Sequence, residues 1–259
     1  MVAPVRYPSG ISNAAPWQFF SGMGAPNPFF YHQFADDFDT IPSTAVGWTA
    51  NGTGTVTAGV ADGGTAILTT TAVAAEFETL QRTIVSFQPI AGKKSYFVAR
   101  VSLSDVLNSA FLAGLMPFTA TPFTNPANGI WISKASGSTQ LALNVANSSV
   151  VTSTNIPTAA ITLANNVSFD VGIHVTGGLG NTLQGATIQA AVAPTLVSYV
   201  PQSGTGTPNS TNRAPNIAST APLITTLQAT VLAPVVAVQA GTTTIKTMAV
   251  DFVGAFRER

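Results

Sequence analysis

Cysteine is absent from the 259-residue chain and charge is scarce, with 10 Lys or Arg and 10 Asp or Glu making 8% of residues. An ordinary soluble domain carries about 25%. The missing cysteine excludes a disulfide scaffold and any zinc site built on thiolates. Ten scattered basic residues make no field able to hold a phosphate backbone, so no nucleic-acid partner is expected. Long apolar runs are also missing. The charge-free stretch from Ala214 to Ile245 is broken by Thr, Gln, Asn and Pro, and no run approaches the 18 or so residues of a spanning helix. The N-terminus lacks a charged segment followed by an apolar one, so no secretory signal or membrane association is expected.

Hydroxyls and amides stand in place of the charge: 35 Thr, 20 Ser and 15 Asn. With a net charge of zero, colloidal repulsion is weak, and exposed faces should associate with themselves or with a partner. A hydrophobic share of 46% is ample for a core.

Helix signals are nearly missing as well, whereas period-2 alternation bounded by Gly, Asn, Asp and Pro recurs throughout. Lys94 to Leu103 sets Phe97, Ala99, Val101 and Leu103 on one face and Tyr96, Val98 and Arg100 on the other. Similar strands are expected at 31–38, 53–60, 66–71, 77–87, 111–116, 129–133, 140–146, 167–175, 187–192, 234–239 and 245–256. Asp62-Gly63-Gly64 is a hairpin signal, because glycine supplies the positive φ of a tight turn. About a dozen strands predict an all-β fold, a two-sheet antiparallel jelly-roll sandwich forming one domain over residues 31–259.

Two segments break the pattern. Residues 1–30 hold Pro4, Pro8, Pro16, Pro26 and Pro28 with Trp17, Phe19, Phe20, Phe29 and Phe30. Proline forbids a regular strand there, and the aromatics are too apolar to remain in water. They read as an arm that folds back over its own sandwich or reaches a neighbouring subunit. The second segment, Pro201 to Pro222 around Arg213, reads as a long structureless loop, a type that is usually functional or mobile.

The search for chemistry assigns no catalytic, cofactor or metal residue. His32 and His174 are the chain's two histidines; Asp170, Gly172 and His174 share one face of a strand, an ordinary outward polar stripe. Glu76 and Glu78 also share a face, as two glycosidase carboxylates would. The laminarinase-like glucanase pattern sets glutamates four apart, however, and the residues four beyond Glu76 and Glu78 are Leu80 and Arg82. Glu78 and Arg82 read instead as a solvated pair, worth under about 1 kcal/mol. Asp36-Asp37-Phe38-Asp39 and Asp62-Gly63-Gly64 do not match the EF-hand loop; Asp62 reads as a turn former and Asp39 as a capper of the bend into Thr40-Ile41-Pro42. Non-enzymatic function is the expectation.

Several short motifs follow one another in order: Tyr7-Pro8-Ser9-Gly10-Ile11, Phe34-Ala35-Asp36-Asp37-Phe38, Gly47-Trp48, Val60-Ala61-Asp62-Gly63-Gly64, Phe97-Val98-Ala99-Arg100, Gly129-Ile130-Trp131-Ile132, Phe169-Asp170-Val171-Gly172 and Val250-Asp251-Phe252-Val253. In this order the chain resembles the concanavalin A-like jelly-roll proteins of tailed-bacteriophage virions, which decorate or cement the capsid. The resemblance implies a structural protein made in the host bacterial cytoplasm and placed on the capsid exterior. Its implied partners are the major capsid protein and copies of itself as a dimer or trimer, with no cofactor. The contact residues expected from the chain are Trp17, Phe19, Phe20, Phe29, Phe30 and Arg213. The alternative it leaves open is a receptor-recognition or fibre module that binds glycans through aromatics such as Trp48 or Trp131.

Overall fold

The computed structural model describes residues 31–40, 47–59, 64–84, 87–88, 93–124, 126–156, 163–176, 189–194, 217–219 and 230–259. Among these residues every regular element is a strand. In chain order they are β1 (Tyr31–Asp36), β2 (Trp48–Gly52), β3 (Thr55–Ala58), β4 (Ala66–Thr69), β5 (Phe77–Arg82), β6 (Lys94–Leu103), β7 (Ser109–Met116) and β8 (Gly129–Lys134). There follow β9 (Leu141–Asn147), β10 (Val150–Asn155), β11 (Phe169–Thr176), β12 (Gln189–Pro194), β13 (Ile217–Ser219), β14 (Ala233–Ala240) and β15 (Thr247–Glu258).

The strands form two antiparallel sheets. Sheet A runs β13-β12-β11-β6-β15-β4-β3, and the twelve-residue β15 is long enough to hold β4 against its first half and β1 against its second. Sheet B runs β10-β9-β8-β7-β14-β5-β2. This is the sandwich that the alternation predicts. The core lies between the sheets, where Phe97, Ala99, Val101 and Leu103 of β6 and Phe169, Val171 and Ile173 of β11 meet Phe111, Ala113 and Leu115 of β7 and Leu141, Leu143 and Val145 of β9. Phe111 and Phe169 touch edge to face across the layer, with centroids 5.4 Å apart, the arrangement that the ring quadrupoles favour.

One end of the sandwich explains several motifs that are only short strings in the sequence. Asp36 closes β1 with two hydrogen bonds: the Trp48 indole N–H donates to Oδ2 at 2.7 Å and the Phe38 amide to Oδ1 at 2.8 Å. Phe38 takes φ +56°, so its chain turns back and its ring packs on Trp48 at 5.5 Å. Gly64 fits against this bend with φ +83°, where a Cβ would lie 2.3 Å from the Phe38 carbonyl oxygen. Gly64→Ala is therefore expected to cost about 2 kcal/mol, the strain of a non-glycine residue at positive φ plus the forced shift, read as a lower urea midpoint with an unchanged slope.

Strands β2 and β10 are not among the expected ones, and Ile217–Ser219 pairs with β12 inside the 201–222 stretch that reads as structureless. Asp62 and Gly63 of the hairpin signal lie outside the described residues.

Candidate functional surface

Sheet B has an unusual distribution of charge. Its seven strands contain three ionisable residues, Glu78, Arg82 and Lys134. The cross-strand register places all three on the inward face, in line with Leu80, Trp48 and Ile132. The outward face presents Thr49 and Asn51 on β2, Phe77, Thr79 and Gln81 on β5, Val235, Ala237 and Gln239 on β14, and Leu112, Gly114 and Met116 on β7. It continues through Trp131 and Ser133 on β8, Ala142, Asn144 and Ala146 on β9, and Val151, Ser153 and Asn155 on β10. An ordinary sheet keeps its charges outside; here the alternation is reversed.

Leu112, Met116, Trp131, Ala146, Val235 and Ala237 form a buried cluster on this outward face, with Phe123 packed against them. The segment that carries Phe123 is tied down by polar contacts. Gln81 donates to the Pro117 carbonyl at 2.8 Å and accepts from the Thr119 amide at 3.2 Å, and Asn51 donates to the Ala120 carbonyl at 3.1 Å. Phe118 stands 51% exposed nearby. Asn144 lies directly opposite Trp131 and donates to the Ser133 hydroxyl at 2.9 Å.

Lys134 and Glu78 meet backbone groups, and Arg82 meets an aromatic ring while its Nε is left without a hydrogen-bond partner. The Lys134 ammonium donates to the carbonyls of Ser109, Ala135 and Ser138, the last two at 3.0 Å, and burial lowers its pKa from 10.5 to about 8. Beside it, Lys246 pairs with Asp105 at 2.6 Å, and that bond with the Asn108 amide holds the Asp105 carboxyl well below its usual range. Glu78 is buried next to Gly52 and Gly54. Burial raises its carboxyl against the N–H donations of Gly54 and Thr79. The guanidinium of Arg82 lies 3.7 Å over the Phe34 ring, a cation-π contact. The solvated Glu78–Arg82 pair expected from the sequence is thus not formed, because both side chains point into the sandwich.

Sheet A differs. Its outward face carries Arg100, bonded to Asp170 at 2.7 Å and 3.7 Å from Asp251, beside an apolar cluster of Tyr96, Val98, Phe252 and Phe256. The β15 bulge between Val250 and Phe252 brings Asp251 to this side. Among the described residues no group of three or more His, Asp or Glu is placed to hold a metal, and no helix is long and apolar enough to cross a membrane. Trp17, Phe19, Phe20, Phe29, Phe30 and Arg213 lie outside the described residues. Of the two aromatics considered for glycan stacking, Trp48 is a core residue and Trp131 belongs to the outward cluster of sheet B.

No family model matches the chain, and no curated protein is detectably similar to it. Solved structures match at the level of fold. An endo-1,3-β-glucanase from Streptomyces sioyaensis is 14% identical with a TM-score of 0.57, over 90% of this chain and 98% of that one. The carbohydrate recognition domain of Emp47p is 8% identical with a TM-score of 0.54, over 89% and 98%. The CBM2 module of the evolved Dit of Lactobacillus casei BL23 phage J-1 is 11% identical with a TM-score of 0.51, over 88% and 96%. The class is therefore the concanavalin A-like jelly-roll sandwich. The same likeness corrects the non-enzymatic expectation. The sandwich is one on which a glucanase is built, so neither the fold nor the missing glucanase spacing separates this chain from enzymes.

Proposed function

We propose that the chain is a virion protein of a tailed phage that decorates the capsid exterior by binding the major capsid protein. The observation that carries this reading is the outward face of sheet B, seven strands wide without an ionisable side chain; its centre is buried within the chain under the Phe123 segment, and a partner would meet its half-buried or exposed margins at Thr49, Asn51, Ser133, Ala142, Val151, Ser153 and Asn155. Such a face is suited to being covered: desolvating it requires no charge to leave water, and its amides and hydroxyls offer hydrogen bonds to a partner. Many copies on a lattice then convert modest individual contacts into firm attachment. The motif order of the sequence and the fold shared with a phage Dit module support the virion assignment.

The test is purified chain added to capsids that lack it. Binding is expected to saturate at a fixed ratio to capsid protein. It should change less than about twofold between ~0.1 and ~1 M salt, over which the Debye length falls from about 10 to 3 Å. Failure to bind, or a steep loss with salt, overturns the proposal.

A second reading, glycan recognition, is supported by the fold shared with the Emp47p recognition domain, with Trp131 and Asn144 excluded as a ready sugar platform because both are buried, Trp131 in the cluster against which Phe123 packs. Saturable glycan-array binding by the wild-type chain, with capsid binding absent, would select it.

A further inference from the structure

The free edge of sheet B carries a partner code of its own. Strand β10 pairs with β9 in unbroken register from Val150↔Asn147 to Asn155↔Ala142, and among the described residues no strand lies on its other side. The Ile156 amide donates to the Leu141 carbonyl at 2.8 Å, so even-numbered residues turn their backbone groups toward β9. The alternation of an antiparallel ladder then aims the N–H and C=O groups of Val151, Ser153 and Asn155 away from the molecule.

Natural edges are blunted by lysine, proline, bulges or a covering segment. Among the described residues there is none of these: the strand is Val-Val-Thr-Ser-Thr-Asn, Val150 is 69% exposed, and no residue in the sequence between Lys134 and Asp170 is charged. An outside protein would need a matching extended segment, whereas a second copy of the chain brings an identical neutral edge and meets no like-charge repulsion.

We propose that two copies of this chain join through β10, antiparallel about a two-fold axis at Ser153. Symmetry selects that register. Residues opposite one another in an antiparallel pair share a face, so an axis perpendicular to the sheet must pass through a residue rather than between two. Centring on Ser153 opposes Val151 to Asn155 of the second copy and Ser153 to itself. All three outward residues of each copy are then used, two bonds per opposed pair and three pairs, six in all. Centring on Thr152 would leave Asn155 without a partner in the opposing strand. The product is a continuous fourteen-stranded sheet, seven strands from each copy, with both neutral faces of sheet B turned the same way. Pairing is a property of the isolated chain, so its outcome is independent of capsid binding.

The chain has no cysteine, which makes the register directly testable by single thiols. Paired Ser153 Cα atoms would stand about 5.5 Å apart, within disulfide range. The two Val150 positions would be separated by six residues, about 20 Å. Ser153→Cys is expected to form an oxidised dimer rapidly under a mild oxidant, and Val150→Cys, on the same exposed strand, is not. In sedimentation the wild-type chain should be dimeric. Ser153→Lys and Ser153→Glu should each weaken the dimer at least about tenfold by setting like charges opposite one another, and their mixture should restore it. Ser153→Pro should also abolish it while leaving the bonds to β9 intact; should that variant fail to fold, the Lys and Glu pair decides. A wild-type monomer at all concentrations, cross-linking as fast at 150 as at 153, or a Lys and Glu mixture that stays monomeric overturns the proposal.

Discussion

Trp48→Ala is expected to lower the unfolding free energy by about 3–5 kcal/mol, the range for emptying an aromatic site in a packed core. Trp48 is fully buried, with Phe34 and Phe38 each 5.5 Å away. Its indole N–H also satisfies the carboxylate of Asp36. The substitution therefore opens a cavity and removes a charge-assisted hydrogen bond, itself worth about 1.5–3 kcal/mol. Against a total stability of about 5–15 kcal/mol, the chain should be largely unfolded at modest urea. Trp48→Phe separates the two effects: it keeps most of the volume and loses the N–H, and should cost about 1–3 kcal/mol. Denaturant unfolding followed by circular dichroism measures both. If Trp48→Ala costs under about 1 kcal/mol, the Asp36–Trp48 tie does not hold this end of the sandwich together.

That tie shows what was legible in the sequence and what was not. Strand β6 matches its expected limits because ten residues of alternation, apolar on both faces, leave no other reading. Strands β2 and β10 escaped because they are short and rich in Thr, Asn and Ser, residues that fit an edge as well as a loop. Phe34-Ala35-Asp36-Asp37-Phe38 and Gly47-Trp48 stood out as strings, but their meaning is a hydrogen bond across twelve residues, which no local pattern encodes. The neutral face of sheet B was half legible. Glu78, Arg82 and Lys134 already fall on the same parity as Leu80 and Ile132, yet inward charge contradicts the ordinary rule and needs the observed carbonyl cradle and cation-π contact to be credible. Glu78 and Arg82 illustrate the failure most directly: four apart on a strand they resemble a surface pair, and only the position of the Gly52–Gly54 turn and the Phe34 ring explains why each has its own partners.

Lys134 should make the protein more stable as the solution becomes alkaline. The side chain is 1% exposed, and its ammonium is held by three carbonyls rather than by a carboxylate. Burial lowers its pKa from 10.5 to about 8. Below pH 8 both folded and unfolded chains carry the proton, and the full cost of a buried ammonium is present. Between about 8 and 10.5 the unfolded chain retains the proton while the folded chain has released it, so stability rises with pH across that window. The gain approaches roughly 3 kcal/mol at the top of the window. Lys134→Met has no such group, so the stability difference between wild type and variant should shift by that amount in favour of wild type from pH 7 to 10.5, whatever its value at neutral pH. Other titrating groups contribute equally to both proteins and cancel in the difference. Urea unfolding of the two at pH 7, 8.5 and 10 measures it, and a difference that stays constant would mean that Lys134 keeps its proton in the fold and that its three carbonyls offset the burial completely.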